Sequence, residues 1–427
     1  MIMAKYLKKA KERQPEDLTR VQEIVAEIIE RVRKDGLDGV RHYSEKLDGW
    51  NPESFKYSTD QIEAARKKLP PSEIDDINFC QTQIRKFAEE QMKRIADFEV
   101  ESIPGVHLGQ KVIPVASSGS YVPGGRYPML ASAHMTVITP KVAGVDRVIA
   151  VSPPVKGEGL WPATVYSMAA AGADEIWCMG GVQALAALAL GVEGLSPVDM
   201  IVGAGNKFVA EAKRQLFGTV GIDLLAGPTE ILIICDESAD PYILAADILG
   251  QAEHDPNAAQ SLVSLSASVA EKTLEEIDRQ LETLPTRDVA EVAWRDNGEV
   301  VIVDSKEEAV AYSDKWAPEH LEVQTEDWRY YLDNCRNYGS AFLGEETTVA
   351  YGDKTIGTNH VLPTMGGARY TGGLSVGKFV KTVTYQYATK EASTLIGRVC
   401  ERACNYENML AHGISCKVRV EKYTQGS

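Results

Sequence analysis

Apolar residues recur at intervals of three and four along "VQEIVAEIIERVRKDG", which closes on Lys34 and Gly36. The pattern predicts an amphipathic helix with a basic last turn and a glycine stop. Helical texture of this kind extends over residues 16–100. After "ESIPGVHLGQKVIPVA" it gives way to short apolar runs punctuated by glycine. Three of these runs share one plan: "AGVDRVIAV" (143–151), "AGADEIWCM" (171–179) and "PVDMIVG" (197–203) each set an aspartate ahead of a β-rich stretch. The aspartates, Asp146, Asp174 and Asp199, are 28 and then 25 residues apart, which leaves room for a helix between strands. That spacing is the mark of parallel βα units. Ligands of such sheets gather beyond the carboxyl ends of the strands, so "SPP", "GGVQA" and "GAGNKF" are where binding residues are expected. A second αβ region runs over 232–373, and from 374 the chain is expected to be helical and polar with a short basic tail.

Composition narrows the class. The 427 residues are too many for one ordinary core, so two or three globular units are expected. No apolar run reaches the ~20 residues of a membrane helix, and the basic N-terminus lacks the apolar core of a signal peptide. A cytoplasmic protein without membrane partners is expected. A net charge of −16 repels phosphate backbones, and no basic patch offsets it, so no nucleic-acid partner is expected. The seven cysteines form no CxxC pair. Cys400 and Cys404 lie four apart without partners in sequence, and Cys178 and Cys235 sit in apolar strand-like runs. All are read as reduced and mostly structural.

Two glycine segments are open to a ligand. "IVGAGNKFVAEAKRQLFG" runs strand, glycine turn, helix, but Phe208 stands where a dinucleotide fingerprint has its third glycine. It reads equally as a tight βα turn. "YVPGGRYP" (121–128) forces a turn and brings Tyr121 to a possible ligand, or forms a plain surface turn.

The histidines divide in two. His42, His107 and His134 have no polar cluster in sequence and are expected to be surface or satisfied core residues. Gln251 and His254 in "ILGQAEHDPNAAQ" are three apart and would share a helix face. His320 follows Glu319 in "APEHLE", His360 comes seven residues after Asp353, and His412 five after Glu407. Nitrogen and oxygen donors without thiolate suit zinc or manganese in a catalytic site.

The runs "YVPGGR", "GGVQALAALALG", "VGAGNKFVAEAKRQLFGTVGIDLLAGPTEILI", "LGQAEHDP", "PEHLE" and "NHVLPT" together resemble the histidinol dehydrogenase family, from about residue 20 to about 415. The resemblance implies an α/β fold of two Rossmann-like parallel-sheet domains with helical N- and C-terminal arms in an intertwined homodimer. Its expected divisions are an arm at 1–24, a zinc and catalytic domain at 25–120 and 232–373, an NAD domain at 121–231, and an arm at 374–427 that completes the partner's site.

It further implies an NAD- and zinc-dependent enzyme that oxidises a primary alcohol through the aldehyde to a carboxylate. Zinc, one per subunit, would be held by Gln251, His254, Asp353 and His412. His320 would accept the hydroxyl proton and Glu319 activate water, while Tyr121, Gln183 and Asn206 would meet NAD. Thr229, Gln251, His254, His320, Asp353, His360, Glu407 and His412 would line the substrate.

The chain departs from biosynthetic members at "GAGN" for G-P-G-N, at "GTNH" for G-P-N-H, and at Thr229 for the usual serine. Its "ARYTGGLSVGKFVKTVTYQ", "VPGGRYPMLASAHMTV" and "AWRDNGEVVIV" resemble a side branch that includes the sulfopropanediol dehydrogenases, which oxidise 2,3-dihydroxypropane-1-sulfonate to sulfolactate. Lys378, Arg369 and Lys381 are candidate partners for an anionic substrate, or surface charges. Retention of Glu407 keeps L-histidinol open as the alternative substrate. A non-catalytic zinc- or nucleotide-binding protein on the same scaffold is the third reading.

Overall fold

The computed structural model describes residues 5–11, 18–124, 128–155 and 157–424. Part of the expected N-terminal arm and the Gly125–Tyr127 portion of "YVPGGRYP" lie outside the described residues. A short strand, β1 (Lys5–Lys8), precedes the helices α1 (Thr19–Asp35), α2 (Leu37–Asp48), α3 (Thr59–Arg66) and α4 (Pro71–Met92). A hairpin of β2 (Phe98–Ile103) and β3 (Val106–Pro114) follows. The first alternation comprises β4 (Ser117–Tyr121), α5 (Leu130–Ala143), β5 (Arg147–Ser152), α6 (Pro162–Ala171), β6 (Glu175–Cys178), α7 (Gly181–Leu190), β7 (Met200–Val202), α8 (Lys207–Leu216) and β8 (Gly221–Ile222).

The second comprises β9 (Glu230–Cys235), α9 (Pro241–Ala252), β10 (Ala259–Ser264), α10 (Ala267–Leu281), α11 (Arg287–Asn297) and β11 (Gly298–Ile302). It continues through α12 (Lys306–Trp316), β12 (His320–Gln324), α13 (Trp328–Asn334), β13 (Ser340–Leu343) and α14 (Val349–Lys354). The chain closes with β14 (Val380–Ala388), α15 (Lys390–Tyr406) and α16 (Leu410–Thr424). None of the described helices is long and apolar enough to cross a membrane.

The chain forms two compact units, Met1–Glu90 with Val115–Phe379, and Gln91–Pro114 with Val380–Ser427. The first contains two sheets of one topology. In one, five parallel strands run β6-β5-β4-β7-β8; in the other, β11-β10-β9-β12-β13 are parallel and β1 adds an antiparallel edge. Each sheet therefore begins in its middle and reverses winding between its first and fourth parallel strands. Strands β9 and β10 are buried along their whole length, as expected when helices cover both faces of a parallel sheet. Cys178 and Cys235 are core residues, and burial pushes both thiols up, to about 12 for Cys235.

Two of the three aspartates that lead the repeated runs act as staples at the strand starts. Asp174 accepts from the Val148 N–H at 2.7 Å, and Asp199 from the Ser117 N–H at 2.9 Å. Each carboxylate thus satisfies a backbone donor of an adjacent strand where the ladder has not yet begun.

Two groupings expected from sequence change. Residues 25–120 were expected to join 232–373; in the structure Val25, Ile28, Ile29, Val32, Val40 and Phe55 pack in one core with Ile149, Trp177 and Leu185. Helix α4 lies there too, with Gln81 donating to the Ser167 carbonyl at 2.9 Å. The stretch from 374 is also not helical throughout: β14 pairs antiparallel with β3, and β2 completes a three-stranded sheet. This sheet and the α15–α16 hairpin make up the second unit.

Candidate active site

At the carboxyl ends of the first sheet, the loops after β4 and β7 are drawn together. Gly203 has φ 116°, and a Cβ there would lie 2.1 Å from the Tyr121 carbonyl oxygen, so only glycine fits. A buried ion pair holds the turn from behind. Lys213 Nζ donates to the Gly203 carbonyl at 3.0 Å and pairs with Asp223, whose other oxygen accepts from the Gly203 N–H at 2.8 Å. Sequence reading missed this pair, although a lysine on the apolar face of an amphipathic helix was its signal.

Tyr121, Gln183 and Asn206 all stand at this edge. The buried Tyr121 hydroxyl, its pKa pushed up to about 12 by burial, accepts from the Gly181 N–H at 3.2 Å. Gln183 Nε2 donates to Asp48 at 3.0 Å, while its Oε1 is buried without a partner. Asn206 Oδ1 caps α8 by accepting from the N–H groups of Phe208 and Val209. The incomplete glycine fingerprint is therefore a capped βα turn at the point where strand order reverses, the usual crevice of such sheets.

The second constellation lies at the opposite edge of its sheet. Thr229 immediately precedes β9, Glu319 immediately precedes β12, and His320 is the first residue of β12. Gln251 is in the last turn of α9, and Asp353 is near the end of α14. The expectation that ligands gather at carboxyl ends holds for neither Thr229 nor His320, which stand at strand amino ends. Helix α9 stops at Ala252, so His254 lies in the turn beyond it, exposed, with its N–H reaching the Gln251 carbonyl at 3.4 Å.

His320 is 3% exposed, and its Nδ1 lies 2.9 Å from the Glu230 carbonyl oxygen. A carbonyl only accepts, so the proton sits on Nδ1 and the Nε2 lone pair is free. The 3.5 Å approach of Gln251 Nε2 to the same Nδ1 is the weaker contact and does not change that tautomer. Nε2 is buried without a hydrogen bond, 4.0 Å from Asp353 Oδ1. Burial lowers the imidazole pKa despite the Asp353 charge, so the ring is kept neutral and able to accept a proton.

Glu319 is buried beside it. One carboxyl oxygen accepts from the Thr229 hydroxyl at 2.7 Å and from the Glu230 N–H at 3.0 Å. Burial outweighs these two contacts and holds its pKa up to about 8. Gln251 Nε2 donates in turn to the Thr229 hydroxyl oxygen. His360 Nδ1 donates to the Asp353 carbonyl at 3.1 Å, and its Nε2 lies 3.3 Å from the Ser132 hydroxyl. Thr229, Gln251, Glu319, His320, Asp353 and His360 are thus linked in one chain of contacts.

Several supporting residues had not been singled out. His134, read as a surface or satisfied histidine, is 3% exposed with neither ring nitrogen hydrogen-bonded. Its pKa falls to about 4, chiefly by burial and secondly through His360. Behind the site, Gln324 Nε2 donates to Asp247 at 2.9 Å and Thr348 donates to the other Asp247 oxygen at 2.8 Å. Glu322 completes this group, its carboxyl raised well above the usual range by burial and by Asp247. The network ties α9, which carries Gln251, to the start of α14, which carries Asp353. Its signal was "HLEVQ": a buried strand with His320, Glu322 and Gln324 on one face.

His412 and Glu407 belong to the second unit, near the start of α16 and at the end of α15, and both are exposed. Arg369 donates to the carbonyls of Gly366 and Lys315, and Lys378 donates to the Thr371 hydroxyl at 2.7 Å. Lys381 is exposed on β14.

Gln251, His254 and Asp353 offer an amide, an imidazole and a carboxylate, with no thiolate, a donor set that suits zinc on chemical grounds. Tyr121, the Gln183 Oε1 without a partner and the glycine turn suit a dinucleotide.

Comparison with known proteins agrees in outline. The histidinol dehydrogenase family model matches residues 11–420. A histidinol dehydrogenase homolog of Shouchella clausii is 53% identical over 99% of this chain and 100% of its own. The sulfopropanediol 3-dehydrogenase of Ruegeria pomeroyi is 47% identical over 98% of this chain and 96% of its own. The crystal structure of histidinol dehydrogenase from Elizabethkingia anophelis superposes with a TM-score of 0.92 at 32% identity, covering 97% of this chain and 95% of that one. The two parallel sheets are those of one lineage of oxidoreductases, and the chain belongs to the histidinol dehydrogenase family.

Proposed function

We propose that the chain is an NAD- and zinc-dependent dehydrogenase that takes a primary alcohol through the aldehyde to the carboxylate, with 2,3-dihydroxypropane-1-sulfonate as substrate and sulfolactate as product. The observation that carries the reaction type is the buried His320, with its proton fixed on Nδ1 and its Nε2 unpartnered beside Asp353. Gln251, His254 and Asp353, with His412, would hold zinc, and Tyr121, Gln183 and Asn206 would hold NAD. When bound, zinc lowers the pKa of the substrate hydroxyl and NAD takes up the hydride.

The side chains supply the proton chemistry. His320 Nε2 receives the hydroxyl proton of the alcohol. Glu319, once ionised, takes a proton from the water that attacks the aldehyde carbon, and Thr229 keeps its carboxylate oriented. His360, held by Ser132 and the Asp353 carbonyl, lines the substrate. Two hydrides leave per molecule, and two NAD are reduced.

The sulfonate reading is supported by the relative of that name and by the basic run around Lys378. L-histidinol is the second reading, favoured by Glu407, an exposed carboxylate suited to a cationic substrate. NADH yield from limiting substrate separates them. Two NADH per dihydroxypropanesulfonate with histidinol inert is expected; two per histidinol with the sulfonate inert overturns the substrate.

The active site is proposed to be shared across a homodimer. The second unit carries exposed apolar side chains, among them Phe98, Val100, Leu108, Leu395, Val399 and Ile414, a surface that favours association. Mixing two inactive variants tests this. Refolded together, His320→Ala and His412→Ala should regain activity, because each mixed dimer contains one intact site. No recovery in a mixture proven to contain heterodimers refutes sharing.

A further inference from the structure

The α15–α16 hairpin has almost no buried core: its buried residues are Ala392 and Gly397 on one helix and Gly413 on the other. The helices meet at two glycines instead. A Cβ on Gly397 would lie 2.7 Å from Val420 Cγ2, and one on Gly413 would lie 3.5 Å from Cys404 Cβ. Between these close contacts sit three thiols. Cys400 and Cys404 are one turn apart on α15, where sequence showed no partner for them, and Cys416 faces them from α16. Their sulfur atoms all lie within 4.8 Å of one another, and the Cys400 and Cys404 sulfurs are 4.0 Å apart. Among the described residues this is the only group of three or more His, Cys, Asp or Glu ligand atoms so close.

We propose that Cys400, Cys404 and Cys416 form a three-thiolate site for a soft d10 cation, copper(I) in particular. Geometry favours a planar three-coordinate ion. Three sulfurs each about 2.3 Å from a central ion in their plane are about 4.0 Å apart; the Cys400 and Cys404 sulfurs have that spacing, and the Cys416 sulfur lies within 4.8 Å of both. Zinc seeks four ligands, and no His, Asp or Glu joins the group. Ordinary packing accounts less well for the trio. Cys178, Cys235 and Cys335 are buried as small apolar residues are, whereas Cys400 is exposed and the other two half-buried, so an ion can reach them. A cation that binds here displaces the thiol protons. Binding releases those protons to solvent and moves no electron. Its structural effect is to clip α15 to α16.

The test uses the reduced, zinc-loaded, full-length protein, titrated without oxygen with Cu(I) against a coloured Cu(I) chelator. Thiolate-to-copper absorption in the near ultraviolet is followed in parallel. Retention of about one Cu(I) per chain is expected, lost when Cys400→Ser, Cys404→Ser and Cys416→Ser are combined. Cys400→Ser alone, at an exposed position that folding tolerates, should weaken binding roughly 10–100-fold. Cys80→Ser should leave it unchanged. Equal retention by wild type and a folded triple variant overturns the proposal, as does wild-type protein that yields its copper to the chelator without the absorption band.

Discussion

His320→Ala is expected to lower NADH formation from the alcohol by roughly 10²–10⁴-fold, the usual contribution of a positioned general base. Zinc content should stay at wild-type level, because His320 stands beside the proposed ligand Asp353 without belonging to the set. The size of the loss follows from the tautomer. The Glu230 carbonyl holds the Nδ1 proton at 2.9 Å and leaves Nε2 as the buried acceptor. No water chain replaces a base so enclosed. Stopped-flow NADH formation with metal analysis on the same sample checks both halves. Normal turnover would remove His320 from its role, and loss of zinc would instead make it a ligand.

Glu319→Gln should separate the two oxidations. The first hydride transfer asks nothing of Glu319, whereas attack of water on the aldehyde needs a base there, so NADH yield should fall from two per substrate to one and aldehyde should be released. The second step should slow by about 10²–10⁴-fold. The amide keeps the shape of the carboxyl and can still accept from Thr229 and Glu230, so the fold is not at issue. The pH dependence has a definite sign. Burial keeps Glu319 protonated up to about 8, so the wild-type aldehyde step should accelerate as pH rises and the carboxyl ionises. A bound cation favours the anion and moves that limb to lower pH. The limb should vanish in the glutamine variant. A yield that stays at two NADH would assign the water-activating role elsewhere.

Local sequence carried much of this site and little of its frame. The aspartate-led runs announced the first sheet because their pattern repeats along the chain, and two of the three carboxylates reach a backbone N–H of an adjacent strand. Glu319 and His320 were legible as chain neighbours, whereas His254, expected on one helix face with Gln251, lies in the turn beyond α9. Contacts across long stretches were not legible. The 25–66 segment has an apolar face that fits either sheet, and only tertiary packing assigns it to the first. Strand β14 pairs with β3 from far along the chain, and it is exposed along most of its length, so no apolar run announced it. The Lys213–Asp223 and Asp247–Glu322 pairs needed the fold itself, because charges in a core are revealed by what surrounds them.

The two sheets share one winding order but present opposite edges to chemistry, and this sets an electrostatic polarity. The carboxyl edge of the first is where α7 and α8 begin, and helix N-termini carry partial positive charge. The amino edge of the second is where α9 ends, and a helix C-terminus is partially negative. A dinucleotide's phosphates and a metal cation, as proposed, would therefore each meet the pole that attracts them. The proposed anionic alcohol would be oriented by the same polarity, its hydroxyl end toward the end of α9 and its charged end trailing.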